Sequence, residues 1–117
     1  MLRQMLKSKI HKATITAVYL DYEGSIACDE ALLLAADILP GEKVLVCNLN
    51  NGTRFETYAI IGKEREISLR GAAARLGVIG DQLIIMAYGL MNEKEARKLK
   101  PRVIHLDGNN KLRKARK

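Results

Sequence analysis

Residues Lys7 to Leu20 read KSKIHKATITAVYL, and this stretch decides the class of fold. Ile, Thr and Val recur in alternation, the pattern of a strand with one buried face, so the stretch predicts β-structure. Lys9 and His11, two residues apart, then project from the same face. On its C-terminal side, Asp21-Tyr22-Glu23-Gly24-Ser25 breaks the alternation as a turn. Asp29 to Leu39 (DEALLLAADIL) predicts a helix, with acidic residues in its first turn and Pro40-Gly41 as a stop. Lys43 to Asn48 and Arg54 to Ile61 predict a hairpin around Asn50-Asn51-Gly52, with Arg54, Glu56, Tyr58 and Ile60 on one face. A short strand over Glu66 to Leu69 leads into a compact small-residue segment from Gly71. An apolar strand over Gln82 to Tyr88, a surface helix over Asn92 to Leu99 and a strand over Arg102 to Leu106 complete the pattern. The sum predicts one mainly β domain over residues 1–117, a small barrel with one or two short helices.

Charge is unevenly spread. The formal net charge is +7, yet residues 1–92 hold 10 basic and 10 acidic groups. The excess lies wholly in residues 93–117, with a basic tail expected over about 109–117. A polyanion-binding domain is therefore not what the charge describes. The chain has one Phe, no Trp and no aromatic stacking motif, which also disfavours a small basic barrel that binds nucleic acid. No apolar run approaches the roughly 20 residues of a membrane span. Lys7, Lys9 and Lys12 interrupt any secretory h-region, so the expected location is cytoplasmic. Cys28 and Cys47 form no CxxC pair and His11 and His105 have no metal-ligand spacing, so no metal site is expected and the cysteines read as free thiols. Neither GxGxxG nor GxxxxGK[ST] is present.

Taken singly, the remaining signals are weak. Gly24-Ser25 is an ordinary turn pair, and Lys9 with His11, or Arg54 with Tyr58, suits a solvated strand face. Gly71 to Ala74 suits close backbone packing, although small residues also let a ligand reach main-chain N–H groups. In order and together they are specific. MLxSKIHKATIT (Met5 to Thr16), YEGSIACDE (Tyr22 to Glu30), ILPGE (Ile38 to Glu42), NNGTRFETYAI (Asn50 to Ile60), GAAA (Gly71 to Ala74) and GDQLIIMAYGLMNEKEA closely resemble the aspartate alpha-decarboxylases. These pyruvoyl-dependent enzymes make β-alanine for pantothenate, and hence coenzyme A. The matches run to about Pro101 without a large insertion.

The resemblance implies a double-psi β-barrel, a homotetramer with sites near subunit contacts, and L-aspartate as substrate. It also implies a covalent pyruvoyl cofactor made from Ser25: its hydroxyl attacks the Gly24 carbonyl, and ester formation, elimination and hydrolysis cut the chain into residues 1–24 and 25–117. Gly24 has no Cβ to obstruct that attack. Decarboxylation needs an electron sink for the carbanion, and a pyruvoyl group that forms a Schiff base with the substrate supplies one. By the same resemblance Tyr58 is the proton donor, Thr57 assists processing, and Lys9 and Arg54 bind the substrate with Gly71, Ala72 and Ala73. A guanidinium fork suits Arg54 to a carboxylate, and His11 and Tyr22 are expected to support the site. Thr57 and Tyr58 point to opposite faces of a flat strand, so a shared site requires a bulge there or a position between subunits.

One position departs from the pattern. The family has Asn before Gly-Ala-Ala-Ala, whereas this chain has Arg70. An arginine there can pair with a substrate carboxylate, pair with a nearby Glu, or turn into solvent. One alternative follows, a pyruvoyl decarboxylase for another acidic amino acid; the +7 charge and the basic tail motivate a second, a small basic β-barrel that binds nucleic acid. Whether processing requires a maturation helper stays open.

Overall fold

The computed structural model describes residues 1–113. Eight strands form one sheet: β1 (Leu2–Thr14), β2 (Ala17–Tyr19), β3 (Ser25–Asp29), β4 (Lys43–Asn48), β5 (Arg54–Gly62), β6 (Ile67–Arg70), β7 (Gln82–Asn92) and β8 (Arg102–His105). Their spatial order is β2-β6-β3-β5-β4-β7-β1-β8. Two short helices, α1 (Glu30–Ala36) and α2 (Glu93–Lys98), and a 3-10 turn over Gly71–Leu76 join them. The mainly β reading with short helices is what the structure shows. Among the described residues no helix is long and apolar enough to cross a membrane.

Alternation in sequence becomes a two-sided sheet. Ile10, Val44, Val46, Leu83, Ile85 and Ala87 bury one face, with Ile15, Ile26, Ile67, Leu69, Leu32 and Leu33 closing the same core. Burial of these side chains contributes about 1.5–3 kcal/mol each for the larger ones.

Four sequence expectations are corrected. The strand expected over Lys7 to Leu20 is two strands, because Lys12 takes a left-handed φ of 65° where the β1–β7 register shifts between His11 and Ala13. Ser25 to Asp29 is a strand, not the end of a turn. It is buried between β5 and β6, so it lacks the alternation that marks a half-exposed strand. The first helix stops at Ala36 instead of Leu39: Asp37 adopts φ 55° and its N–H caps the Leu33 and Leu34 carbonyls. Asp29 begins that helix by accepting from Ala31 N–H at 2.9 Å.

Residues 109–113 are not a free tail. Asn110 is buried, accepts from Thr14 N–H at 2.8 Å and donates to the Thr14 and Arg65 carbonyls at 2.9 and 3.0 Å. Arg113 N–H donates to His105 O at 2.8 Å, which folds the segment back on β8. The rest of the expected tail, residues 114–117, lies outside the described residues.

Candidate active site

Ser25 opens β3 and is 1% exposed, and its hydroxyl has no hydrogen-bond partner. The hydroxyls of Ser8 and Thr14 share that lack of a partner, and what sets Ser25 apart is its place beside a cleft. A cleft of about 230 Å³ lies beside it, lined by Gly24, Ser25, Phe55, Glu56, Thr57, Arg70, Ala72, Ala73 and Leu76. Thr57, Ala72 and Ala73 thus stand with the Gly24–Ser25 peptide.

Gly71 has a different place from the one expected. It takes φ +63°, and a Cβ there would lie 2.6 Å from Gly24 Cα, 2.9 Å from Gly24 N and 3.1 Å from Tyr22 O. A Cβ on Gly24 would in turn lie 3.3 Å from Arg70 O. Two glycine backbones are pressed together, so Gly71 positions the peptide before Ser25 instead of lining the cleft.

The pairing shows no bulge at Thr57 and Tyr58 and leaves them on opposite faces. Ile26 pairs with Ala59 in the parallel β3–β5 ladder, and the β4–β5 register runs from Lys43–Tyr58 to Cys47–Arg54 without a shift. Ser25 and Tyr58 each stand one residue before a paired partner, so their side chains share a side of the sheet. Thr57 faces the other way, into the cleft that the Gly24–Ser25 peptide borders. Tyr58 itself is 43% exposed.

Lys9, His11 and Arg54 are not brought to Ser25. Arg54 pairs with Cys47, Cys47 with Ile84, Ile84 with His11, and His11 with His105. The next row runs Glu56, Leu45, Met86, Lys9 and Val103. Both rows lie on the face opposite the buried Val46, Ile85 and Ile10. Three strand spacings separate Arg54 from His11, about 14 Å, and four residues of β5 separate Arg54 from Tyr58, about 13 Å. Lys9, His11, Arg54 and Tyr58 therefore decorate one outer sheet face, with apolar Leu45, Ile84 and Met86 between them.

His11 sits in a cationic neighbourhood. Burial, then Lys9, His105 and Lys12, hold its imidazole below its ordinary value, which keeps it neutral near pH 7. Its ring meets His105 edge-on at 5.2 Å, and its Nδ1 is buried without a partner.

Arg70 takes the second of its three options. Its guanidinium pairs with Glu66 at 3.1 Å, its Nε donates to Ser68 Oγ at 3.4 Å, and Ser68 also donates to Glu66. Burial alone would raise the Glu66 carboxyl, but hydrogen bonds from Lys63 N–H, Ser68 and Arg70, with the Arg70 charge, lower it below its ordinary value. The cation at position 70 is neutralised within the protein, so it adds no free charge to the cleft. Glu66 and Ser68 carried no motif, and their role is visible only through Arg70.

Two comparisons show the family of the chain. A model of the family described as aspartate decarboxylase matches residues 1–113. The chain belongs to the aspartate decarboxylase family. It is 56% identical over 116 residues to the aspartate 1-decarboxylase of Desulfitobacterium hafniense (strain DSM 10664 / DCB-2), covering 97% of this chain and 91% of that one. It is 53% identical over 113 residues to the aspartate 1-decarboxylase of Thermoanaerobacter pseudethanolicus, covering 95% and 97%. With that of Moorella thermoacetica the identity is 54% over 119 residues, covering 100% and 93%.

Proposed function

We propose that this decarboxylase converts L-aspartate to β-alanine and carbon dioxide after cutting itself between Gly24 and Ser25. The observation that carries the reading is the unpartnered, buried Ser25 hydroxyl beside a peptide whose Gly24 is wedged against Gly71. A hydroxyl with no competing hydrogen bond is free to approach the preceding carbonyl, and Thr57 on the cleft wall can donate to the oxyanion that forms. The small walls at Ala72 and Ala73 leave room for a three-carbon group at position 25.

A pyruvoyl group formed there would supply the carbonyl that condenses with the substrate amine and takes up the electron pair left by carbon dioxide. The chain's own residues then bind and protonate. Tyr58 shares the Ser25 side of the sheet and holds a phenol proton for the substrate Cα. Arg54 and Lys9 supply the two cations a dianion needs, Arg54 through its planar fork.

Because Arg54 and Lys9 stand apart from the Ser25 of their own chain, the complete site in this reading joins two copies. The outer face with Leu45, Ile84 and Met86 seats against a neighbour, and a cytoplasmic homotetramer repeats the contact. β-Alanine then feeds pantothenate formation.

Intact-mass measurement of the purified chain should show residues 1–24 and 25–117, the larger without a free amino terminus. Ser25→Ala should remain whole and inactive; activity in that variant would refute the mechanism. Co-expressing Ser25→Ala with Arg54→Ala should restore part of the activity lost in each alone. No recovery in mixed assemblies would refute the shared site. Rates with aspartate and glutamate test substrate choice, since a paired Arg70 leaves aspartate preferred.

A further inference from the structure

The segment that enters the scissile peptide is weakly tied to the rest of the chain. Leu20 to Glu23 are all exposed, and among the described residues their main chain makes one turn bond, Tyr22 N–H to Tyr19 O at 3.4 Å. Their fixed points are aromatic. The Tyr19 and Tyr22 rings stack at 4.6 Å with an interplanar angle of 13°. The Arg70 guanidinium carbon stands 5.5 Å from the Tyr19 ring centre and 5.3 Å from that of Tyr22. The sheet register sets the same group beside the cleavage point: Tyr19 pairs with Arg70, and Arg70 with Ser25. Directly paired residues share a face, so Tyr19, Arg70 and Ser25 form one row.

From this geometry we propose that Arg70 is a positioning residue for self-cleavage, clasping the Tyr19–Gly24 arm through the two tyrosines; the inference rests on the processing reading above. Glu66 and Ser68 fix the guanidinium in place, and the side chain of Arg70 is only 23% exposed. Its cation stands within interaction range of both rings and can lie over the negative face of one of them. The ring of Tyr22 then holds the residue two before Gly24, whose main-chain oxygen already abuts Gly71. The side chain of Arg70 thus acts through Tyr19 and Tyr22. A neutral amide at position 70 has no cation to offer the tyrosine pair, so the departure from the family pattern becomes a different way of holding the arm.

The test follows scission of freshly translated chain by intact mass. Arg70→Gln should slow cleavage by about three- to thirty-fold, the worth of a partly shielded cation–aromatic contact. Arg70→Lys, which keeps a cation, should recover most of the rate. Tyr22→Leu, at an exposed position that folding does not need, should slow cleavage comparably. The double variant should be no slower than the slower single one. In the uncleavable Ser25→Ala chain, the ring-to-ring NMR contacts of Tyr19 with Tyr22 should weaken on adding Arg70→Gln while those of the core are unchanged.

Wild-type cleavage rates in Arg70→Gln, multiplicative effects of the two substitutions, or unchanged Tyr19–Tyr22 ring contacts would each overturn the clasp. Should Arg70→Gln not fold, Tyr22→Leu and Arg70→Lys carry the same comparison, and a wild-type rate in Tyr22→Leu overturns it. A native chain that never cleaves would refute the processing reading and the clasp with it; a cleaving native chain with an equally fast Arg70→Gln refutes the clasp alone.

Discussion

Replacing Gly71 with alanine tests the packing of the scissile arm most directly. The new methyl would stand 2.6 Å from Gly24 Cα, where ordinary contact begins near 3.4 Å, so the Gly24 backbone must retreat by about 0.8 Å. Both flanking contacts, Gly24 N at 2.9 Å and Tyr22 O at 3.1 Å, are main-chain atoms, which cannot rotate away as a side-chain tip can. The left-handed φ of +63° adds about 1–2 kcal/mol of strain for a residue with a Cβ. Overpacking adds about 1–3 kcal/mol, so a destabilisation of about 2–5 kcal/mol is expected. Displacement of the reacting peptide by nearly 1 Å should also slow its cleavage about 10²-fold. Urea unfolding of Gly71→Ala in the uncleavable Ser25→Ala chain reads the first number, and intact-mass time courses with Ser25 present read the second. Gly80→Ala is the control: it shares a positive φ of +96° but has open space around its Cβ, so it should lose only the strain and cleave normally. A Gly71→Ala chain that cleaves at the native rate would refute the wedge and the reasoning built on it.

Other outcomes follow from buried groups. Burial, with Glu66 and Asp29 nearby, pushes the Cys28 thiol up to about 12, so mapped alkylation of the folded protein at pH 8 should spare Cys28 until denaturant is added; labelling of Cys28 in the native chain would contradict its placement. His11 has a folded value below its ordinary 6.5, so between the two values the unfolded chain binds the extra proton. Its contribution to stability should therefore be full above pH 6.5 and decline as pH falls through that window. An NMR titration placing His11 at or above 6.5 would reverse the sign. Asn110→Ala should cost about 2–4 kcal/mol in urea unfolding, because it leaves Thr14 N–H unpaired and puts a Cβ residue of no local hydrogen-bonding capacity at φ 58°. A loss under 1 kcal/mol would show that water replaces the side chain.

Much of the site was legible because its residues stand in ordered motifs: Gly24-Ser25, Thr57-Tyr58 and Gly71 to Ala73 were named from the sequence, and the cleft gathers all but Tyr58 and Gly71 onto its walls. Lys9, His11 and Arg54 were equally legible as residues but not as neighbours. Alternation along a strand says which side chains share a face, whereas the row joining Arg54 to His11 depends on how four strands are ordered. The strand over Ser25 to Asp29 escaped notice because burial on both sides erased its periodicity.

Sequence alone determined the β class and the chemical groups on offer, since each depends on local pattern or residue type; Gly24-Ser25 as a cleavage point was an expectation that rested on resemblance. Tertiary structure decided what those groups meet. It pressed Gly71 against Gly24, where only a backbone without a Cβ fits. It also turned the terminal +7 into something less diffuse: part of the expected basic tail folds back through Asn110, by hydrogen bonds that span about a hundred residues of chain and leave no trace in composition. The fate of Arg70 is the clearest case. Its charge was plain in the sequence, but whether it faced a substrate, a carboxylate or water depended on the three-dimensional reach of Glu66, Tyr19 and Tyr22.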